Sequence, residues 1–152
     1  MYKLSLIVKA LYSKRHRIIL LFKVLNHTNN YWLKSFICLL ISNLGCEVSP
    51  TSQIGKHLNI WHAKGIVIGE GVIIGDNVTI YQNVTIGQKN GKYPKIGNNC
   101  ILYPNSVIFG GITLGDSCVV GAGSIVNKSF PENSVVAGNP AREIHTLKNG
   151  IN

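Results

Sequence analysis

The chain has 152 residues, 15 Lys and Arg against 6 Asp and Glu, 5 His, 4 Cys and 16 Gly, and 45% of it is hydrophobic. That length suits one domain with a terminal appendage, and the hydrophobic fraction excludes a disordered chain. Glycine has no every-third-residue period, which excludes collagen.

The net charge of +9 invites a nucleic-acid reading, but its distribution argues against one. Residues 1–46 hold Lys3, Lys9, Lys14, Arg15, Arg17, Lys23 and Lys34 and no carboxylate, whereas residues 47–152 hold 8 basic and 6 acidic side chains. A groove for a phosphate backbone would be basic along the body itself. The excess sits in the appendage, and no nucleic-acid partner is expected.

The N-terminal segment reads as a basic amphipathic helix over residues 3–25, followed by a second apolar segment over 31–44. Neither contains 18 uncharged apolar residues, so neither is expected to span a bilayer. Residues 1–46 are therefore a helical cap over an open end of the fold, a membrane-associating segment, or both. The start of the chain lacks a secretory layout. Cys38, Cys46, Cys100 and Cys118 form no Cys-x-x-Cys pair and read as reduced, mostly buried thiols. The expected location is the cytoplasm, with peripheral contact at the inner face of the cytoplasmic membrane through the N-terminal segment.

From Val48 onward an aliphatic residue recurs every six positions: Val48, Ile54, Ile60, then Ile68, Ile74, Ile80, Ile86, then Ile96, Leu102, Ile108, Leu114, Val120 and Val126. A period of six fits neither a helix nor one long strand. It fits short strands ended by turns, with each aliphatic stacked over its equivalent one coil later. The predicted fold is an all-β solenoid, a parallel β-helix of hexapeptide repeats with three units per coil, about four coils and a partial fifth. The β-helix is assigned to residues 47–130 and a C-terminal tail of short strand and loop to 131–152. Two spacings are long, Ile60 to Ile68 and Ile86 to Ile96. Fixed coil register forces the extra residues outward, as loops around Trp61–Gly65 and Gln88–Lys95, where function tends to sit.

Three stretches carry a family resemblance: Ile60-Trp61-His62-Ala63-Lys64-Gly65-Ile66-Val67-Ile68-Gly69-Glu70, Tyr93-Pro94-Lys95-Ile96, and Ala137-Gly138-Asn139-Pro140-Ala141-Arg142. Together they resemble the serine acetyltransferase branch of the hexapeptide-repeat acyltransferases, over residues 47–145. The resemblance implies a left-handed β-helix, acetyl-CoA as co-substrate and a homotrimer with sites between subunits. The large helical domain that precedes the β-helix in that branch does not fit into 46 residues.

On that resemblance His62 matches the catalytic histidine, and the chemistry agrees, because acetyl transfer from a thioester to a hydroxyl needs a base near neutral pH. Glu47 falls where the family has the carboxylate that orients the histidine, one methylene longer here. Gly121, Ala122, Gly123 and Ser124 match backbone that approaches the pantetheine of acetyl-CoA, and Lys128 and Arg142 match positions for its phosphates. For the glycines simple turn geometry is the competing reading, and for His62 and Glu47 an exposed loop histidine and a surface acid. His57 and His62 are the only histidines in the repeats, so no metal site is expected.

Two departures bear on the acceptor. The family has Asp before the catalytic histidine and an Arg-His pair before Pro-Lys-Ile, while this chain has Trp61 and Lys92-Tyr93. A zwitterionic amino acid needs both charges matched, whereas Trp61 and Tyr93 offer flat apolar faces suited to a sugar ring. The sequence reading thus puts first an O-acetyltransferase acting on a sugar of a surface polysaccharide or its lipid-linked precursor. Serine O-acetyltransferase of cysteine biosynthesis is the alternative, and a non-catalytic assembly or membrane-docking module is the reading of another class.

Overall fold

The computed structural model describes residues 13–147. Two helices, α1 (Lys14–His27) and α2 (Tyr31–Asn43), precede fifteen short strands: β1 (Glu47–Val48), β2 (Gln53–Ile54), β3 (Asn59–Ile60), β4 (Val67–Ile68), β5 (Ile73–Ile74), β6 (Thr79–Ile80), β7 (Thr85–Gly87), β8 (Lys95–Ile96), β9 (Ile101–Leu102), β10 (Val107–Phe109), β11 (Thr113–Leu114), β12 (Val119–Val120), β13 (Ile125–Val126), β14 (Ser134–Gly138) and β15 (Ala141–Thr146). Residues 3–12 of the helix expected over 3–25 lie outside the described residues.

The strands stack into three sheets that form the faces of a prism. The first face has the order β1-β4-β7-β10-β13, the second β11-β8-β5-β2, and the third β15-β14-β12-β9-β6-β3. Every contact within a face is parallel and in register, as in Val48↔Ile68 and Ile108↔Val126, save the antiparallel pair β14–β15. This is the parallel β-helix that the six-residue period predicts, left-handed as the resemblance implies. Four coils carry a strand on every face. In the fifth, the second face is represented only by the bridge between Leu114 and Phe130.

Each strand from β3 to β13 buries one aliphatic side chain, and Ile60, Ile80, Ile86, Leu102, Ile108, Leu114, Val120 and Val126 among them are fully buried, while Ile54 of β2 is half-buried. Stacked at the coil spacing of about 4.8 Å, they make one continuous apolar column. The turns between faces need left-handed backbone, supplied by Asn77, Asn99, Ser117 and Asn133 at one corner and by Gly65, Asn83, Asn105 and Gly123 at another. His57, with φ of 58°, belongs to the first of these series and is exposed, so it is a turn residue. At Gly75 space is the constraint, because a Cβ would lie 2.6 Å from Asn98 Oδ1 in the next coil.

The helices close the open end. α1 buries Ile18, Phe22 and Leu25, and its polar side chains reach carbonyls of the first coil that have no neighbouring strand. Arg15 Nε donates to the Ile60 carbonyl at 2.6 Å, and Asn26 Nδ2 donates to that of Gly55 at 2.9 Å. Such edge carbonyls would otherwise template further strands. α2 is anchored by Ile37, Cys38 and Ile41 and capped by Asn30, whose side chain accepts from Leu33 N at 3.2 Å. Among the described residues no helix is long and apolar enough to cross a membrane.

Candidate active site

The loop between β3 (Asn59–Ile60) and β4 (Val67–Ile68) turns the corner from the third face to the first. The eight-residue spacing leaves extra residues here, and they project outward while Ala63 and Ile66 stay buried. Trp61 and His62 are exposed. The loop is pinned at both ends, since Trp61 N donates to Ile80 O at 3.2 Å and Gly65 N donates to Gly45 O at 2.8 Å.

Trp61 lies in a stack along this corner. The Arg15 guanidinium sits 4.8 Å from its ring centroid, on the side of the cap. On the other side Tyr81 lies parallel at 6.3 Å, with an interplanar angle of 9°, and Tyr103 continues the stack 5.2 Å further. Arg15 thus lies over part of the Trp61 ring that the sequence offers as a sugar platform, Tyr81 lies parallel but offset, and Trp61 remains 46% exposed. The His62 imidazole is 6.5 Å from the Tyr81 ring and tilted by 51°.

Glu47 opens β1, and its backbone N–H donates to the Ile66 carbonyl at 2.8 Å. Its side chain points outward beside that of Val67, its in-register neighbour. The two residues thus flank the same loop, but among the described residues the side chains of Glu47 and His62 are not hydrogen-bonded to each other.

Gly121, Ala122, Gly123 and Ser124 turn the same corner as His62, three coils further along, a rise of about 14 Å at the usual strand spacing. Gly121 is the equivalent of Trp61, Tyr81 and Tyr103 in its coil, so the aromatic stack stops there. Ser124 is fully buried: its Oγ accepts from Gly138 N at 3.2 Å, its N–H donates to Gly121 O at 3.3 Å and its carbonyl accepts from Val107 N at 2.8 Å.

The remaining predicted residues lie elsewhere. Lys92 and Tyr93 belong to the loop between β7 (Thr85–Gly87) and β8 (Lys95–Ile96), at the corner of the first and second faces. That loop is a small hairpin, with Lys89 and Lys92 exchanging two backbone hydrogen bonds of 3.0 Å around Asn90-Gly91. Both turn residues have positive φ, 53° and 71°, as such a turn requires. Tyr93 packs over Gly71, where a Cβ would lie 2.8 Å from the ring. Lys92, Tyr93, Lys95 and Thr113 border an open cleft of about 420 Å³. One chain thus keeps His62 and Tyr93 on opposite long edges of the first face. Lys128 shares the corner of Tyr93 and lies over Phe130 at 5.2 Å. Arg142 is exposed on β15.

The sequence reading missed Arg15, Tyr81 and Tyr103. The two tyrosines were within reach, since each directly follows a core aliphatic of the third face, as Trp61 does. Nothing in the sequence ties Arg15 to residues 59–61. Among the described residues no cluster of three or more His, Cys, Asp or Glu side chains could hold a metal ion.

Residues 93–128 match the family model described as bacterial transferase hexapeptide (six repeats), and residues 63–88 match the hexapeptide repeat of succinyl-transferase. Both models are of hexapeptide-repeat transferases, and the chain is similar to the serine acetyltransferase branch of the hexapeptide-repeat acyltransferases. It is 33% identical to serine acetyltransferase 2 of Arabidopsis thaliana over 108 residues, 68% of this chain and 33% of that protein. With the serine acetyltransferase of Bacillus pumilus it shares 37% over 124 residues, 76% of this chain and 56% of that one. The crystal structure of the Brucella abortus serine acetyltransferase in complex with coenzyme A superposes with a TM-score of 0.78 at 31% identity, covering 89% of this chain and 57% of that one. The chain therefore spans from a third to just over half the length of these relatives.

Proposed function

We propose that the chain is an acetyl-CoA-dependent O-acetyltransferase with His62 as general base. The observation that carries this reading is the shared corner: an exposed imidazole at one end, and at the other the Gly121–Gly123 backbone, along which a thioester arm can lie. In the proposed reaction His62 takes the proton of the acceptor hydroxyl as its oxygen attacks the thioester carbonyl. The C–O bond forms, the tetrahedral intermediate collapses with cleavage of C–S, and the imidazolium returns the proton to the departing thiolate. Glu47, which flanks the same loop, orients the imidazole and stabilises its charged form. Lys128 and Arg142 are the proposed phosphate contacts.

L-Serine is the acceptor that the relatives support best, ahead of the sugar put first by the sequence reading. The sugar hydroxyl stays as a second reading on one observation, the replacement of a charged side chain beside His62 by Trp61. A homotrimer completes the site in either case. Rotation about a threefold axis can bring the Lys92-Tyr93 hairpin of one subunit to the His62 corner of the next, which a single chain cannot do.

Thiol release from acetyl-CoA, measured with L-serine and with a panel of sugar and nucleotide-sugar acceptors, tests the acceptor. Turnover on L-serine supports the first reading, and turnover on sugars alone replaces it with the second. Absence of thiol release with every acceptor, together with no binding of acetyl-CoA, would reject the enzymatic reading in favour of an assembly module.

A further inference from the structure

The cap and anchor roles of the N-terminal segment fall to different helices. α1 spends its apolar face on the solenoid through Ile18, Phe22 and Leu25. α2 turns Ile37, Cys38 and Ile41 inward but leaves large apolar side chains on its opposite side: Trp32 is 81% exposed, Phe36 56% and Leu39 58%, with Tyr31 and Leu33 also exposed. Residues 32, 36 and 39 are spaced by four and three, which puts them on one stripe of the helix. Isolated exposed hydrophobics are ordinary on a protein surface, but a contiguous stripe led by a nearly bare tryptophan marks an interaction surface.

The charge around the stripe selects its occupant. Between residues 13 and 46 the chain holds Lys14, Arg15, Arg17, Lys23 and Lys34 and no carboxylate, and Lys14, Arg17 and Lys23 are exposed. A second copy docking through this same face would oppose cations to cations with nothing to pair them. An anionic surface meets both demands. A helix of 13 residues is about 20 Å long, too short to span the roughly 30 Å hydrocarbon core, so it would lie in the plane of the interface.

We propose that α2 docks the protein on an anionic lipid surface, with Trp32, Phe36 and Leu39 inserted at the headgroup boundary and Lys14, Arg17, Lys23 and Lys34 of the helical pair meeting lipid phosphates. This goes beyond the acetyltransferase reading and does not depend on it. The helices cover the first coil, and His62 stands at the end of that coil. The docked orientation therefore brings the candidate site to the lipid-facing end of the solenoid.

The test is co-sedimentation of the full chain with phosphatidylcholine vesicles, with and without phosphatidylglycerol. Binding is expected only with the anionic lipid and is weakened by salt. The triple substitution Trp32→Ser, Phe36→Ser, Leu39→Ser lowers partitioning at least about tenfold. A Trp61→Phe variant keeps Trp32 as the sole tryptophan, since the chain has two, and its emission shifts to the blue on anionic vesicles whether or not the triple variant folds. Absence of binding to anionic vesicles, Trp32 emission unchanged by them, or a fall in particle mass on triple substitution, which would make the face a contact between copies, overturns the proposal.

Discussion

The guanidinium of Arg15 lies 4.8 Å from the ring centroid of Trp61, and the same side chain binds the backbone on which that ring is carried. Its Nε donates to Ile60 O at 2.6 Å and its Nη2 to Asn59 Oδ1 at 3.0 Å. Arg15 lies over the Trp61 ring, Tyr81 lies parallel and offset beside it at 6.3 Å, and His62 is the next residue. A side chain of the cap thereby holds the loop that presents the candidate base.

Arg15→Ala should remove about 1–3 kcal/mol of stability, the range for hydrogen bonds to a charged group, measured by urea denaturation. It should also lower kcat more than the KM for acetyl-CoA, because the loss is at the His62 loop and not along the Gly121 corner. Arg15→Lys should restore only part of both, since an ammonium lacks the planar fork and stacks poorly. Wild-type kinetics in Arg15→Ala would show that the loop holds its shape without the cap.

Two glycine substitutions separate spatial need from sequence habit. Gly75→Ala places a Cβ 2.6 Å from Asn98 Oδ1 and 2.9 Å from its backbone nitrogen, and should cost about 1–3 kcal/mol as overpacking. Gly87→Ala meets nothing within 4 Å and should change stability by no more than about 0.5 kcal/mol. Equal effects on the thermal midpoint would contradict the coil-to-coil packing.

All four cysteines are buried. Burial pushes the thiols of Cys38 and Cys46 up, and Cys100 is raised by its contact with Cys118 and by burial. The Cys100 and Cys118 thiols donate to the carbonyls of Gly115 at 3.2 Å and Pro131 at 3.0 Å. Thiolate is the reactive form; Cys118 is held low by its contact with Cys100, but burial shields all four sulfurs, so the native protein should react with an aromatic disulfide reagent at least about tenfold more slowly than the unfolded chain at pH 8. Rapid native labelling would show that the core opens.

How much of the fold and site is legible in the sequence follows from what fixes each feature. The faces of the prism are set by a strict period, so the spacing alone puts Ile60, Ile80 and Leu102 in one column. The corner loops follow from the two long spacings. Pairings across that period are not legible. Arg15 lies outside the repeat, and no local pattern says which carbonyl it will reach. The ring contacts of Trp61 are equally hidden, because they depend on the ring one coil later and on the cap below. Opposite placement of His62 and Tyr93 is derivable by counting corners, since six residues advance the chain by one face.

That placement predicts shared sites. Co-expressed His62→Ala and Tyr93→Ala chains should recover up to about a quarter of wild-type activity in mixed trimers, since random assembly gives that fraction of sites both intact side chains. Each variant alone should be impaired. A mixture no more active than the sum of its parts would place both residues' functions within one chain, or Tyr93 outside the site.

Thiol release from acetyl-CoA by His62→Ala with the best acceptor decides whether His62 is the base for acetyl transfer. Loss of at least about 10²-fold in kcat, with acetyl-CoA binding preserved, is the predicted result. Near-wild-type turnover in that variant would contradict the assignment.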